Sequence, residues 1–301
     1  MASFLNIFRA TGNYFITTQE RRNFMRKTFC YLSLAAMSFA TLVPASLSAQ
    51  SIWLDRSADK TVGLEVLIPN FKDEDGVSGW AAFLSLRAPL SNQLHFVGEM
   101  PFAHGSFESR SIFIDSGSQN SIGNPYFGIE IGRQGSPVFG EIGARVPLAS
   151  EDKFGATLVG LVTDFDRLEA FAPKMLPLTA MLNYHHKEAS GFAIRLRGGP
   201  SFLINTDKDE FEDGSELFIG YSAQAGYESE QVSILGGVTG RANMTEENAD
   251  FGERSVHQLG FNASVGLGNV RPGIHFRLPL DDDLKDSMDF VMGFNLGIQL
   301  K

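Results

Sequence analysis

The chain has 301 residues, 43% of them apolar, a single cysteine and a formal net charge of −10. That acidic balance excludes nucleic acid as a partner, because phosphates are bound through Lys and Arg. One cysteine supports neither a disulfide framework nor a thiolate metal site, so packing and backbone pairing must hold the fold.

Residues 1–49 read as a cleaved secretory signal. Met25-Arg26-Lys27, taken as the working start, supplies a short basic region ahead of an apolar core from Phe29 to Val43. That core is well short of the about 20 apolar residues a bilayer-spanning helix needs, and Ser46-Leu47-Ser48-Ala49-Gln50 offers small residues for cleavage near Ala49. An N-terminal membrane anchor is the alternative. Cys30 lies inside the signal core, and Lys27-Thr28-Phe29 before it does not suit a lipoprotein signal. Residues 1–49 hold five basic residues and one acidic, so residues 50–301 carry 20 Lys plus Arg against 34 Asp plus Glu.

After Val43 the dominant pattern is period-two alternation. Strands are expected at 60–69, 78–90, 93–103, 122–133, 137–148, 176–187, 190–204, 215–228, 231–243, 256–268 and 270–280, with a twelfth ending the chain. In that last one Phe290, Met292, Phe294, Leu296, Ile298 and Leu300 share a face, and Gly293, Asn295, Gly297 and Gln299 take the other. The connections alternate long and short. Most acid sits in the long ones, as in Asp73-Glu74-Asp75, Asp209-Glu210-Phe211-Glu212-Asp213, Glu246-Glu247 and Asp281-Asp282-Asp283. These read as solvated loops, or as loops that share divalent cations with lipopolysaccharide phosphates.

One segment departs from the alternation. Between Lys153 and Phe171, the residues Leu158, Leu161, Val162, Phe165 and Leu168 form the stripe of a short amphipathic helix, with Asp164, Asp166, Arg167 and Glu169 largely away from it. It falls in the longest loop. The first reading is a helix packed over a barrel mouth; a helix folded inward as a plug and an extra strand pair are the alternatives.

A soluble sandwich also alternates, so periodicity alone leaves two architectures. Three features favour a closed antiparallel transmembrane β-barrel of about twelve strands. The strands are long enough to cross hydrocarbon when tilted. The polar face is rich in glycine (Gly63, Gly128, Gly143, Gly199, Gly220, Gly237, Gly260, Gly293), which suits a narrow lumen. Aromatics such as Trp80, Phe127, Tyr184, Phe192, Tyr227 and Phe276 fall on the apolar face, several near strand ends where headgroup girdles form. Residues 50–301 are then one barrel domain, since an open edge in lipid leaves backbone groups unsatisfied.

The signal, the run Ser121-Ile122-Gly123-Asn124-Pro125-Tyr126-Phe127-Gly128 and the alternating last strand resemble bacterial outer-membrane β-barrels, in particular the porin-like and transporter barrels of modest size. Many of these end in Phe, whereas this chain ends Leu300-Lys301. The resemblance implies export through the periplasm to the outer membrane, with the barrel-assembly machinery, outer-membrane lipid and lipopolysaccharide as partners.

Alternation points Arg87, Arg145, Arg195, Arg197, Arg241 and Arg277 into the lumen with Glu65, Glu99, Glu130 and Glu141, and with His95 and His275 beside them. They form either a salt-bridged filling or the lining of a path for anionic solutes. Glu130 and Glu141, on two arms of one hairpin, are constriction candidates. Neutralising Arg145, Arg195, Arg197 or Arg277 should reduce anion preference most. The repeated Leu86-Arg87-Ala88-Pro89-Leu90, Ala144-Arg145-Val146-Pro147-Leu148 and Phe276-Arg277-Leu278-Pro279-Leu280 read as strand ends.

The six histidines show no spacing to a nucleophile. The expectation is therefore no enzyme, catalytic residue, cofactor or metal, and a porin-like channel for small hydrophilic solutes, anionic ones among them. A structural or surface-interaction barrel with a closed lumen is the alternative, and an outer-membrane hydrolase the third reading.

Overall fold

The computed structural model describes residues 60–72, 77–107, 117–133, 135–207, 215–246 and 250–300. The expected signal at 1–49 and the acidic runs Asp73-Glu74-Asp75 and Asp209–Asp213 lie outside these residues, as does Glu247 of the Glu246-Glu247 pair.

Thirteen antiparallel strands close into one sheet: β1 (Thr61–Phe71), β2 (Val77–Pro89), β3 (Leu94–Phe107), β4 (Gly117–Ile122), β5 (Tyr126–Ile131), β6 (Val138–Arg145), β7 (Met175–Lys187), β8 (Phe192–Asn205), β9 (Glu216–Glu228), β10 (Val232–Asn243), β11 (Ser255–Val265), β12 (Val270–Pro279) and β13 (Met288–Gln299). Each pairs with its sequence neighbours, except that β3 takes both β4 and β5, and β1 closes the barrel on β13 from Thr61↔Gln299 to Phe71↔Met288. β4 and β5 are thus one broken wall strand, and the barrel has twelve positions.

That strand begins at Gly117, not near residue 122 as the alternation suggested, and it breaks at Gly123-Asn124-Pro125. Pro125 has no N–H for the ladder. The Gly123 N–H still donates to the Pro101 carbonyl at 2.9 Å, but the Asn124 N–H turns away to the Ala170 carbonyl at 2.6 Å.

The outer wall follows the predicted alternation. Leu64, Leu84, Leu196, Ile234, Phe261 and Phe294 are exposed on it, as are Trp80, Phe127, Phe192 and Tyr227. Large apolar side chains exposed all round a closed sheet are stable against hydrocarbon and unfavourable against water. Two short turns rest on glycines in the left-handed region, Gly191 at φ 95° and Gly268 at φ 65°, where a side chain would add strain.

The long β6–β7 connection holds a 3-10 turn (Glu151–Lys153), helix α1 (Phe154–Thr163) and a second 3-10 stretch (Phe165–Ala170). It does not lie over the mouth. It folds into the lumen, with α1 against β1, β2, β3 and β4, and residues 165–170 reaching β10. Ala156, Leu161, Phe165, Ala170 and Phe171 form one buried cluster with the lumen-facing Leu67, Ala81, Phe83, Ala103 and Val291 and with Leu284 of α2 (Asp282–Ser287). Close approach depends on glycine. A Cβ at Gly105 of β3 would stand 2.8 Å from the Gly155 carbonyl oxygen of α1.

Candidate functional site

The lumen is the site, and its two sides differ. On the side of β1–β6, β12 and β13, the insert brings Asp164, Arg167 and Glu169 onto the charged residues of the wall. Arg167 Nη1 donates to Glu99 at 2.6 Å, its Nη2 to Glu65, and its Nε to Asp164 at 2.7 Å. The same guanidinium stacks 3.6 Å above the Phe83 ring centre. Arg145 donates to the other Glu99 oxygen at 2.7 Å. Arg277 bridges Glu65 at 3.1 Å and Asp164 at 2.7 Å, and His275 Nε2 lies 3.3 Å from Glu65. Arg241, stacked on Phe218, donates to Glu169 at 2.8 Å.

Every acid in this network faces at least one arginine, as charges removed from water must. Outside the spanning strands, the Asp164 carboxyl shows the balance: burial alone would raise it, but Arg167 and Arg277 hold it at about 2. Burial likewise raises Glu169, and Arg241 and Arg145 bring it below the usual carboxylate range.

Asn124, fully buried, fixes both ends of the insert. Its Nδ2 donates to the Glu169 and Ala172 carbonyls at 2.9 and 2.6 Å, and its Oδ1 accepts from the Leu148 and Ala149 N–H groups at 2.8 Å each. That fills the two donor and two acceptor places of a carboxamide.

The hairpin pair Glu130 and Glu141 stand directly opposite each other, both buried. Glu130 accepts from Arg87 Nε at 2.6 Å, and Glu141 from the Tyr126 hydroxyl. The Tyr126 ring fits because its neighbours are glycines; a Cβ at Gly143 would sit 1.9 Å from its hydroxyl oxygen.

On the side of β7–β9 the lumen face changes character. Arg195 pairs with Glu228, which also meets His185 Nε2 at 2.7 Å. Beyond them Met181, Arg197, Gly199, Gly220 and Ser222 are half-exposed, with Gly199 opposite Gly220 and Arg197 opposite Ser222. Of the ten Arg and Glu residues expected in the lumen from alternation, Glu65, Glu99, Arg145, Arg241 and Arg277 therefore join the insert's network. Arg87, Glu130 and Glu141 form the hairpin cluster, and Arg195 and Arg197 stand on the other wall.

Alternation missed Asn124, Tyr126, Asp164, Arg167 and Glu169. The signal for the last three was charge embedded in an apolar run. For Asn124 it was an Asn-Pro break inside a strand. His257, unremarkable in sequence, lies between the Tyr221 hydroxyl at 2.6 Å and Asp281 at 3.0 Å on the outer face near the long loops. Among the described residues no group of three or more His, Cys, Asp and Glu is placed to hold a metal ion.

No protein-family model matches the chain, and no curated protein matches it. Solved structures do share its fold. An outer membrane channel from Pseudomonas putida F1 superposes with a TM-score of 0.57 at 10% identity, over 83% of this chain and 99% of that one. The translocator domain of autotransporter NalP from Neisseria meningitidis gives 0.53 at 11% identity, over 90% and 97%. The β domain of the Bordetella autotransporter Brka gives 0.50 at 6%, over 80% and 100%. Shared architecture at such low identity establishes the fold and leaves activity to the site itself. With its closed twelve-position sheet, apolar outer wall and polar lumen, the chain is built as a transmembrane β-barrel and shares its fold with barrels of the bacterial outer membrane.

Proposed function

We propose that the protein is a non-enzymatic channel for small hydrophilic solutes, with a preference for anions. One observation carries this reading: the insert fills one side of the lumen, while the β7–β9 side keeps a half-exposed strip of Arg197, Gly199, Gly220 and Ser222. Arginines in a water-filled path attract anions and repel cations. Arg195 and Arg197, on the wall the insert does not cover, are the selectivity residues of this reading. The sealed side favours a second reading, a structural or surface-interaction barrel whose lumen never conducts.

The test is single-channel recording of the refolded barrel in a planar bilayer under a salt gradient. Small discrete steps with anion preference are expected. Replacing residues 151–171 by a Gly-Ser linker should raise the conductance several-fold, and Arg197→Gln should lower anion preference. A folded native barrel that never conducts overturns the channel in favour of the closed barrel.

A further inference from the structure

An elongated recess of about 680 Å³ indents the outer wall, on the half of the barrel nearest the short turns. Two register rows of outward side chains cross it from β10 to β1. The first runs from Ile234 through Ala263, Ile274 and Phe294 to Val66. The second runs from Val232 to Leu64, with Pro272 between Val265 and Leu296. Ala263 and Pro272 are half-buried among the exposed Ile234, Val265, Ile274 and Leu296, and so form the floor. Pro272 has no N–H for the ladder, and the continuous β11–β12 pairing stops beside it at Ser264↔Gly273.

Shape and chemistry restrict the occupant. Five strands at about 4.8 Å spacing and two side-chain rows make a recess about 19 Å long and about 7 Å wide. An α-helix, about 10 Å across, does not settle into it. The lining carries no charged side chain among the described residues, so a polar or ionic guest would find nothing to pair with. β10–β13 and β1 are each paired on both sides, and an added strand has no open edge to join. A second copy docked about a two-fold axis would set recess against recess and leave a void. A narrow, flexible hydrocarbon chain meets every one of these conditions, and the recess is continuous with the wall that faces the bilayer core. On a flat wall an acyl chain touches protein along one side. Here it gains contacts along its flanks as well, and in hydrocarbon such packing is what decides association. We infer that the recess is a binding site for one acyl chain of a bilayer phospholipid, held as a resident lipid while its neighbours exchange. The inference does not rest on the channel reading.

Lipid counting tests it. The full barrel refolded into dipalmitoyl phosphatidylcholine vesicles is extracted into detergent, and native mass spectrometry counts the phospholipid that stays bound. One phospholipid per barrel is expected. Ala263→Phe fills the floor and should abolish retention, whereas Ala223→Phe, the same change on exposed wall outside the recess, should leave it intact. If Ala263→Phe fails to close, Val265→Phe narrows the recess from the β11 side; gel mobility before and after heating reports closure of each barrel. Phosphatidylglycerol with the same chains should compete equally with phosphatidylcholine, because the site holds the chain and not the headgroup. A native barrel that keeps no phospholipid, unchanged retention in a closed, filled variant, or a strong preference for one headgroup overturns the site. Pairs of barrels that Ala263→Phe separates, with no lipid bound, overturn it in favour of an interface between copies.

Discussion

The two sides of this lumen are built from the same alternation and reach opposite ends. On β1–β3, β5 and β6 the inward positions include large or charged residues, Leu67, Phe83, Glu65, Glu99, Tyr126 and Arg145, all buried against the insert or one another. On β8 and β9 the inward positions include the small residues Gly199, Gly220 and Ser222 beside Arg195 and Arg197. A lumen of twelve strands is narrow enough for its own side chains to fill. Whether it closes is therefore decided strand by strand, by which residues occupy the inward phase. A plug also needs a wall with matching groups, and only one wall carries the acids and aromatics that receive Arg167.

The largest effect expected is on that receptor side. Arg167→Met removes the guanidinium shared by Glu65, Glu99 and Asp164, leaving carboxylates buried with fewer counter-charges. Breaking a buried pair from one side costs about 3–5 kcal/mol. Urea unfolding in lipid vesicles, followed through Trp80 on the outer wall, should show a loss of that order, and chymotrypsin should cut the insert near Phe165. An insert that stays protected in this variant would show that apolar packing alone seals the lumen.

The barrel itself was legible because lipid imposes a strict rule on every second residue, and Leu259, Phe261, Ala263 and Val265 obey it without exception. The Arg and Glu candidates share the opposite phase of the same alternation. Which of them would meet the insert was not legible, because pairing depends on how a loop folds back, and no period encodes that. The stripe Leu158, Leu161, Val162, Phe165 and Leu168 suggested a helix with one apolar face, and so a solvated polar face. Inside a lumen both faces are buried, and Asp164 and Arg167 became its anchor. The Gly123-Asn124-Pro125 break was visible as an irregular strand start. Its role was not, because Asn124 acts on carbonyls more than forty residues away in sequence.

Asn124→Ala should give the next largest effect, and it separates the lock from the hinge. The substitution deletes four hydrogen bonds at the two ends of the insert while leaving the Arg167 cluster intact. With buried backbone groups left unsatisfied, a loss of about 2–3 kcal/mol is expected. Hydrogen exchange should rise at Leu148–Ala149 and Ala170–Ala172 more than in α1. Uniform loss of protection through α1 would instead mean that the insert is held at its ends and not by its charges.

Acid should act more weakly on docking of the insert. The Asp164 carboxyl titrates at about 2 in the folded barrel, against about 3.9 when unfolded. A carboxyl lowered by folding adds stability that is fully present above its unfolded value and is lost as pH falls through its folded one. Docking of the insert should therefore be constant from pH 7 to about 4 and weaken by about 2 kcal/mol toward pH 2. Hydrogen exchange of the insert amides along that range measures it. Loss between pH 7 and 5 would instead mean that a group other than the Asp164 carboxyl controls docking of the insert.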